Sequence, residues 1–433
     1  MKTYRYLIIG NSAAGIGAAE AIRETDSRGS LAIVSDEAAN TYSRALIAYY
    51  LAGEVGRERL NYRPADFYQR LGATAWLGRR AERVDFAAQR VSVTAATQRD
   101  GEEIAYERLL IATGGRAIRP PLPGIGLEGV ATFQSLADVE AVRSGLDAVR
   151  RAVVIGGGLI GMQAAEALVK LGREVVVIEL LDRVLAPVLD ATGSAAVERR
   201  FAERGVQIRT GTAVTAILSD PRRPSRAAGV SLATGEEIQA DLVIVAVGVA
   251  PRTELVADSP VRVGKGIIVN GKGETSRPGV WAAGDVVESY DLISGALRPL
   301  PIWPKAYAGG RVAGFNMAGR TAERKGDVAI NASHFFGFPV VSAGLHSPPP
   351  GEESAYEVLV EHRPEDGYYK KMLLRDGVIV GLVGTGPAVD RVGILLGLLR
   401  ERVDVGSFKD QIFHRTGLVS LPHPLRQRRL QGR

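Results

Sequence analysis

Apolar runs that end in glycine turns recur along this chain. Tyr6-Leu-Ile-Ile9 leads without a polar break into Gly10-Asn-Ser12-Ala-Ala-Gly15, and small residues then continue at helical spacing towards Glu20. That order predicts a buried strand, a tight turn and a helix whose first turns pack closely. Ala152-Val-Val-Ile155 repeats it, followed by Gly156-Gly-Gly158-Leu159-Ile160-Gly161 and a second helix through Gln163 to Glu166. Each unit has a later apolar strand that ends in glycine, Leu109-Leu-Ile-Ala-Thr113-Gly114 and Leu242-Val-Ile-Val-Ala-Val-Gly248. The intervals from Gly10 to Gly114 and from Gly156 to Gly248 are 104 and 92 residues, so two similar units stand in series. Strands alternating with helical stretches call for an α/β fold with doubly wound parallel sheets.

Breakers place the joints. Arg119-Pro-Pro-Leu-Pro-Gly124 is a stiff connector leaving the first unit, and Pro251 closes the strand returning from the second. Beyond about Gly326 the pattern shortens into hairpins, such as Tyr369 to Leu374 and Val378 to Val383 around Arg375-Asp-Gly377, which predicts a smaller α+β domain. A length of 433 residues accommodates two or three domains of about 150 residues each.

Composition changes this picture chiefly by exclusion. Uncharged stretches such as Ala152 to Ala165 are Gly-rich and shorter than the ~18 apolar residues of a membrane span, so none is expected. The apolar Tyr6 to Ile9 runs into a glycine turn and not a cleavage site, so a cytoplasmic location is expected. A cysteine count of zero excludes a disulfide framework, a thiolate nucleophile, a redox dithiol and a Cys-ligated iron–sulfur cluster within the chain. His334, His346, His362, His414 and His423 lack ligand spacing, and neither a metal site nor a nucleic-acid partner is expected.

At Gly156, Gly158 and Gly161 the missing side chains permit a tight turn, bring backbone N–H groups to a pyrophosphate and let the helix pack closely. The next strand, Glu174 to Ile178, ends at Glu179, 23 residues beyond Gly156. A carboxylate there accepts both ribose hydroxyls and repels a 2′-phosphate, which favours NAD over NADP. In the first unit Ser12 replaces the central glycine, and Leu31 to Ser35 ends in Asp36-Glu37, either a ribose-binding pair or a solvated strand end. Val280-Trp-Ala-Ala-Gly284-Asp285 sets a carboxylate after a strand, placed to take a polyol hydroxyl.

Together these residues resemble the FAD- and NAD-dependent pyridine nucleotide oxidoreductases, flavoproteins with two dinucleotide folds. The resemblance implies two Rossmann-like domains: a split FAD domain of residues 1–117 and 247–325 with an NAD domain, 118–246, inserted. Residues 326–433 would form a C-terminal α+β interface domain, where a homodimer would form. Tyr42-Ser43-Arg44 with Leu46 to Gly53, Ile302-Trp303-Pro304, Phe335-Phe336-Gly337 and Val403 to Asp410 are similar to the NADH:rubredoxin and ferredoxin-linked reductase branch. That likeness implies Arg44 on the FAD pyrophosphate, the Ala81 backbone against adenine and Trp303 beside the isoalloxazine, a plain core Trp being the competing reading. Where many members pair a Lys and a Glu beside flavin N5, this chain has Tyr49 and Gln163, both neutral and both expected near the flavin.

The implied reaction takes hydride from NADH and passes electrons to a small acidic iron–sulfur carrier of rubredoxin or ferredoxin type. A peroxide-forming NADH oxidase and an NADH-sensing flavoprotein with little turnover are the alternatives. From Arg400 onward eight Lys and Arg face three acids, a surplus of five in a net charge of +6. This is either a solvated basic tail or a surface that steers an acidic carrier.

Overall fold

The computed structural model describes residues 1–95, 101–390 and 392–414. It divides into two compact units: Met1–Ile118 with Gln134–Val139 and Val249–Asp327, and Arg119–Phe133 with Glu140–Gly248 and the described residues from Val328 onward.

The first unit is built on a seven-stranded sheet. Ala73–Leu77, Leu31–Ser35, Lys2–Ile9, Glu102–Ile111 and Val280–Ala282 run parallel, and the antiparallel Arg90–Ala95 and Arg79–Asp85 extend one side. Ile8 lies opposite both Ile33 and Leu110, so Lys2–Ile9 is a central strand. Its apolar run has no polar alternation because both faces are covered. Tyr6 and Ile8 pack under the helices Ala13–Thr25 and Trp303–Met317, and Leu7 and Ile9 face a second core that includes Val84, Phe86, Val261 and Ile267. That second face is closed by strands and loop residues.

The second unit repeats the plan with a parallel sheet in the order Gln207–Arg209, Glu174–Ile178, Arg151–Ile155, Leu242–Val245, Val130–Thr132. One face of it is closed by the antiparallel sheet Val214–Asp220, Arg223–Leu232, Glu237–Gln239, through Ile217, Val230 and Ile238. From Val328 a five-stranded antiparallel sheet follows, and the expected hairpin is present as Tyr368–Arg375 and Val378–Thr385.

The insertion has a local signature. Gly115–Ala117, where the chain leaves the first unit, pairs antiparallel with Val249–Pro251, where it returns, Ala117 opposite Val249. Gln134–Val139 belongs to the first unit although its neighbours in sequence do not. The C-terminal sheet groups with the second dinucleotide unit because a buried polar cluster and a ring contact tie them. Asp190, N-cap of the helix Ala191–Ala202, accepts from Gly193 N at 3.0 Å, Tyr369 Oη at 2.5 Å and Lys371 Nζ at 2.7 Å. Phe201 packs against Phe335 and Phe336 with centroids 5.7 and 4.9 Å away. In the basic C-terminal segment Lys409 pairs with Glu357, whereas Arg415, Arg426, Arg428, Arg429 and Arg433 lie outside the described residues.

Candidate functional site

Both glycine turns are made the same way. Gly10 N donates to Val34 O and Gly156 N to Ile178 O, each at 2.8 Å, so each turn is pinned to the end of the neighbouring strand. Gly10 has φ +124° and Gly156 φ +108°, a left-handed backbone that side chains disfavour. A Cβ on Gly10 would fall 2.0 Å from Ala112 O, and one on Gly156 would fall 2.4 Å from Ala246 O. At the third glycine the match is closest: a Cβ on Gly15 would lie 1.9 Å from Gly10 O and one on Gly161 1.9 Å from Gly156 O.

The helices that follow begin uncapped. Ser12 and Gly158 stand at the N-caps of Ala13–Thr25 and Leu159–Lys170 with no side-chain cap hydrogen bond, which leaves first-turn N–H groups, those of Leu159 and Ile160 among them, free of a cap. Glycine turns of this shape opening on uncapped helices fit a dinucleotide pyrophosphate.

In the second unit Glu179 stands where the strand spacing places it. Its Oε2 accepts from Gly157 N at 2.7 Å and its Oε1 from Leu181 N at 2.8 Å, so the carboxylate is held against the turn. Gly248, with φ +122°, ends the returning strand as expected. Gln163 donates from Nε2 to Ser333 Oγ at 3.3 Å.

In the first unit the acidic strand end is already engaged. Asp36 pairs with Arg252 at 3.0 Å, and Glu37 takes Arg44 on one oxygen and Tyr42 Oη, at 2.6 Å, on the other. Arg44 also donates to Gln134 O at 3.1 Å and lies over the Tyr42 ring, whose oxygen accepts from Leu136 N at 2.9 Å. Sequence reasoning treated Glu37 and Arg44 separately; here the carboxylate orients the guanidinium, and Gln134–Val139 supplies the remaining partners. No local pattern announced that segment.

Thr113 Oγ1 donates to Arg252 O at 2.8 Å, and Gly114, with φ +71°, accepts from Arg252 N at 2.9 Å. Ala81 sits at a register shift in Arg79–Asp85, an edge strand. Tyr49 lies in the short helix Ile47–Leu51. Gly284, with φ +91°, brings Asp285 beside the first helix, a Cβ on Gly284 falling 3.0 Å from Ala14 Cβ. Burial raises the Asp285 carboxyl above its ordinary pKa, while the charges of Lys305 and Arg44 act to lower it. Trp303 opens the helix Trp303–Met317, edge-on to Tyr62 at 5.2 Å and stacked with Tyr307 at 6.2 Å, and its indole N–H is buried without a partner among the described residues. The ring is part of a packed aromatic cluster and still has a polar atom to offer.

A family model for pyridine nucleotide-disulphide oxidoreductases matches residues 4–299. The chain belongs to that family. It is 32% identical over 405 residues to NADH-dependent phenylglyoxylate dehydrogenase subunit epsilon of Aromatoleum evansii, covering 93% of this chain and 92% of that one. It is 37% identical to the 5,5'-dehydrodivanillate O-demethylase ferredoxin reductase subunit of a Sphingobium species, over 66% of this chain and 68% of the other. The solved NAD-dependent persulfide reductase from A. fulgidus superposes with a TM-score of 0.86 at 28% identity, covering 94% of this chain and 78% of that one. Two further curated relatives are about twice as long, the chain spanning 51% and 50% of them. FAD and NAD are the cofactors of this oxidoreductase, and the two glycine turns have the form that such dinucleotides require. Among the described residues no helix is long and apolar enough to cross a membrane.

Proposed function

We propose that this protein takes hydride from NADH and delivers the electrons one at a time to a small acidic iron–sulfur carrier of rubredoxin or ferredoxin type. The observation that carries the proposal is the combination of two dinucleotide turns, alike at their first and third glycines, with a cysteine count of zero. Electrons entering such a chain find no thiol pair on which to rest and must leave to a separate acceptor. A relative named as a ferredoxin reductase subunit supports an acceptor of that kind.

The chain's own residues bind and orient. The turn at Gly10, Ser12 and Gly15 would hold the FAD pyrophosphate, with Arg44 fixed by Glu37 as its cation and Asp285 on the ribityl chain. The turn at Gly156, Gly158 and Gly161 would hold NADH, Glu179 taking its ribose. Bound FAD supplies the exchange between two-electron and one-electron donors, so no acid–base side chain is required. Tyr49 and Gln163 are neutral flavin neighbours in this reading, and Ala81 lines the adenine. The protein acts in the cytoplasm, with a second copy of the chain as the expected partner of its C-terminal residues.

Anaerobic reduction by NADH followed by stopped-flow reoxidation with rubredoxin, ferredoxin, quinone and oxygen tests the proposal. Fast reoxidation by an iron–sulfur carrier is the expected result. Fast reoxidation by oxygen alone identifies an NADH oxidase, and a long-lived reduced state with every acceptor identifies a sensor; either result overturns the carrier reading.

A further inference from the structure

Lys305 occupies the first turn of the helix Trp303–Met317 and is only 8% exposed, yet its Nζ hydrogen-bonds no described group. An ammonium group taken out of water without a partner is strongly disfavoured. Its two acidic neighbours do not discharge that cost. Asp327 is paired with Arg324, and among the described residues neither Asp327 nor Asp285 makes an ion pair with Lys305. Burial accordingly lowers the lysine pKa, while both carboxylates act to raise it.

The two helices of the first unit show where this cation sits along a bound dinucleotide. A Cβ on Gly310 would fall 2.0 Å from Ala14 O and one on Gly314 2.4 Å from Ala18 O, so Trp303–Met317 and Ala13–Thr25 run in the same direction in close contact. A Cβ on Gly284 would fall 3.0 Å from Ala14 Cβ and 3.9 Å from Ala306 Cβ, so the residue after Lys305 stands at the Gly284-Asp285 loop beside the start of Ala13–Thr25. Ala13–Thr25 begins at the pyrophosphate turn. Lys305 therefore lies by the Gly284-Asp285 loop, which in the functional reading holds the ribityl chain between the phosphates and the ring.

We propose that Lys305 faces the pyrimidine edge of the bound flavin, where its charge favours the reduced form by stabilising the negative charge that hydride arrival leaves at N1 and C2=O. This rests on the reading of the first glycine turn as the FAD site. In a chain without the Lys and Glu partners found beside N5 in many relatives, Lys305 is then the residue that sets the flavin potential and lets NADH reduce it.

The test uses purified holoprotein and its Lys305→Met, Lys305→Gln and Lys305→Arg variants. FAD content is read from absorbance, the midpoint potential from dye equilibration, and the local charge from sulfite titration, because sulfite addition to N5 also places negative charge on N1. Lys305→Met and Lys305→Gln should retain FAD, shift the potential negative and weaken sulfite binding by about tenfold or more. Lys305→Arg, which keeps the charge, should stay near the unsubstituted protein. Sulfite affinity and potential unchanged in both neutral variants overturn the inference, as does an equal change in the Arg variant, which would mark a packing role. If the unsubstituted protein binds FAD and is reduced by NADH while these readouts do not move, this inference alone fails; if it takes up no FAD, the functional reading fails with it.

Discussion

Neutralising Glu179 should move the preference between NADH and NADPH by a factor that the structure allows to be worked out. The carboxylate lies at the end of Glu174–Ile178, bonded to Gly157 N and Leu181 N, with its Oε2 3.2 Å from the position of a Cβ on Gly157. A dinucleotide seated on this turn would carry its adenosine ribose past that oxygen. For a 2′-phosphate at about 4–5 Å, repulsion per unit charge is about 3–4 kcal/mol at an effective dielectric of about 20. Glu179 is half-buried, so solvent and salt reduce this to about 1.4–2.7 kcal/mol, or roughly 10- to 100-fold in discrimination. In Glu179→Gln that factor returns to NADPH. The amide can accept from only one of the two N–H groups and turns a donor to the other, so NADH should also weaken, by about 1 kcal/mol. The assay is kcat/KM for both nucleotides with ferricyanide as acceptor, at low and high salt and with FAD content checked. The NADH:NADPH ratio should be high in the unsubstituted protein, fall with salt, and drop about 10- to 100-fold in the variant. A ratio unchanged in both Glu179→Gln and Glu179→Ala, or a native preference for NADPH, would refute the placement of Glu179 against the ribose.

Removing the buried cation in Lys371→Met leaves the Asp190 carboxylate without its counter-charge and should cost about 3–5 kcal/mol in urea unfolding, with Lys371→Arg losing less. Burial opposes ionisation of Asp190, but hydrogen bonds from Lys371, Tyr369 and Gly193 N outweigh it and hold the carboxyl below its ordinary pKa. The stability this gives is present above the unfolded-state pKa of about 3.9 and is lost as pH falls through the lower folded value; acid unfolding of Lys371→Met should therefore begin at higher pH. Gly310→Val forces apart two helices whose backbones touch; a cost of about 1–3 kcal/mol with partial loss of FAD should appear in thermal melts followed by flavin fluorescence, and an unchanged melt would show that the contact can relax. Neutralising Arg426, Arg428 and Arg429 together should slow reduction of an acidic carrier and flatten its salt dependence while leaving flavin reduction by NADH intact; carrier kinetics that do not change would show that the tail is not the docking surface.

What the sequence determined by itself is everything carried by contiguous residues. Strand, glycine turn and helix follow one another within about a dozen positions, and each turn forbids a side chain for a reason that its own backbone supplies. The two turns, the glycine-ended strands, Glu179 and the hairpin near Asp376 were therefore legible before any coordinate. Tertiary structure decided what depends on residues distant along the chain. Arg44 and Gln134 are 90 positions apart, Lys371 and Asp190 are 181, and no periodicity links either pair. Whether Glu37 stands free or holds Arg44, and whether the C-terminal sheet stays separate or groups with the second dinucleotide unit, follows from such pairings. Lys305 makes the same point at one position: in the sequence it is one lysine after a proline, and only the tertiary structure buries it with no hydrogen-bond partner among the described residues. Local pattern sets which backbone shapes are available, and desolvation, which exists only once distant segments exclude water together, decides which charges must be answered.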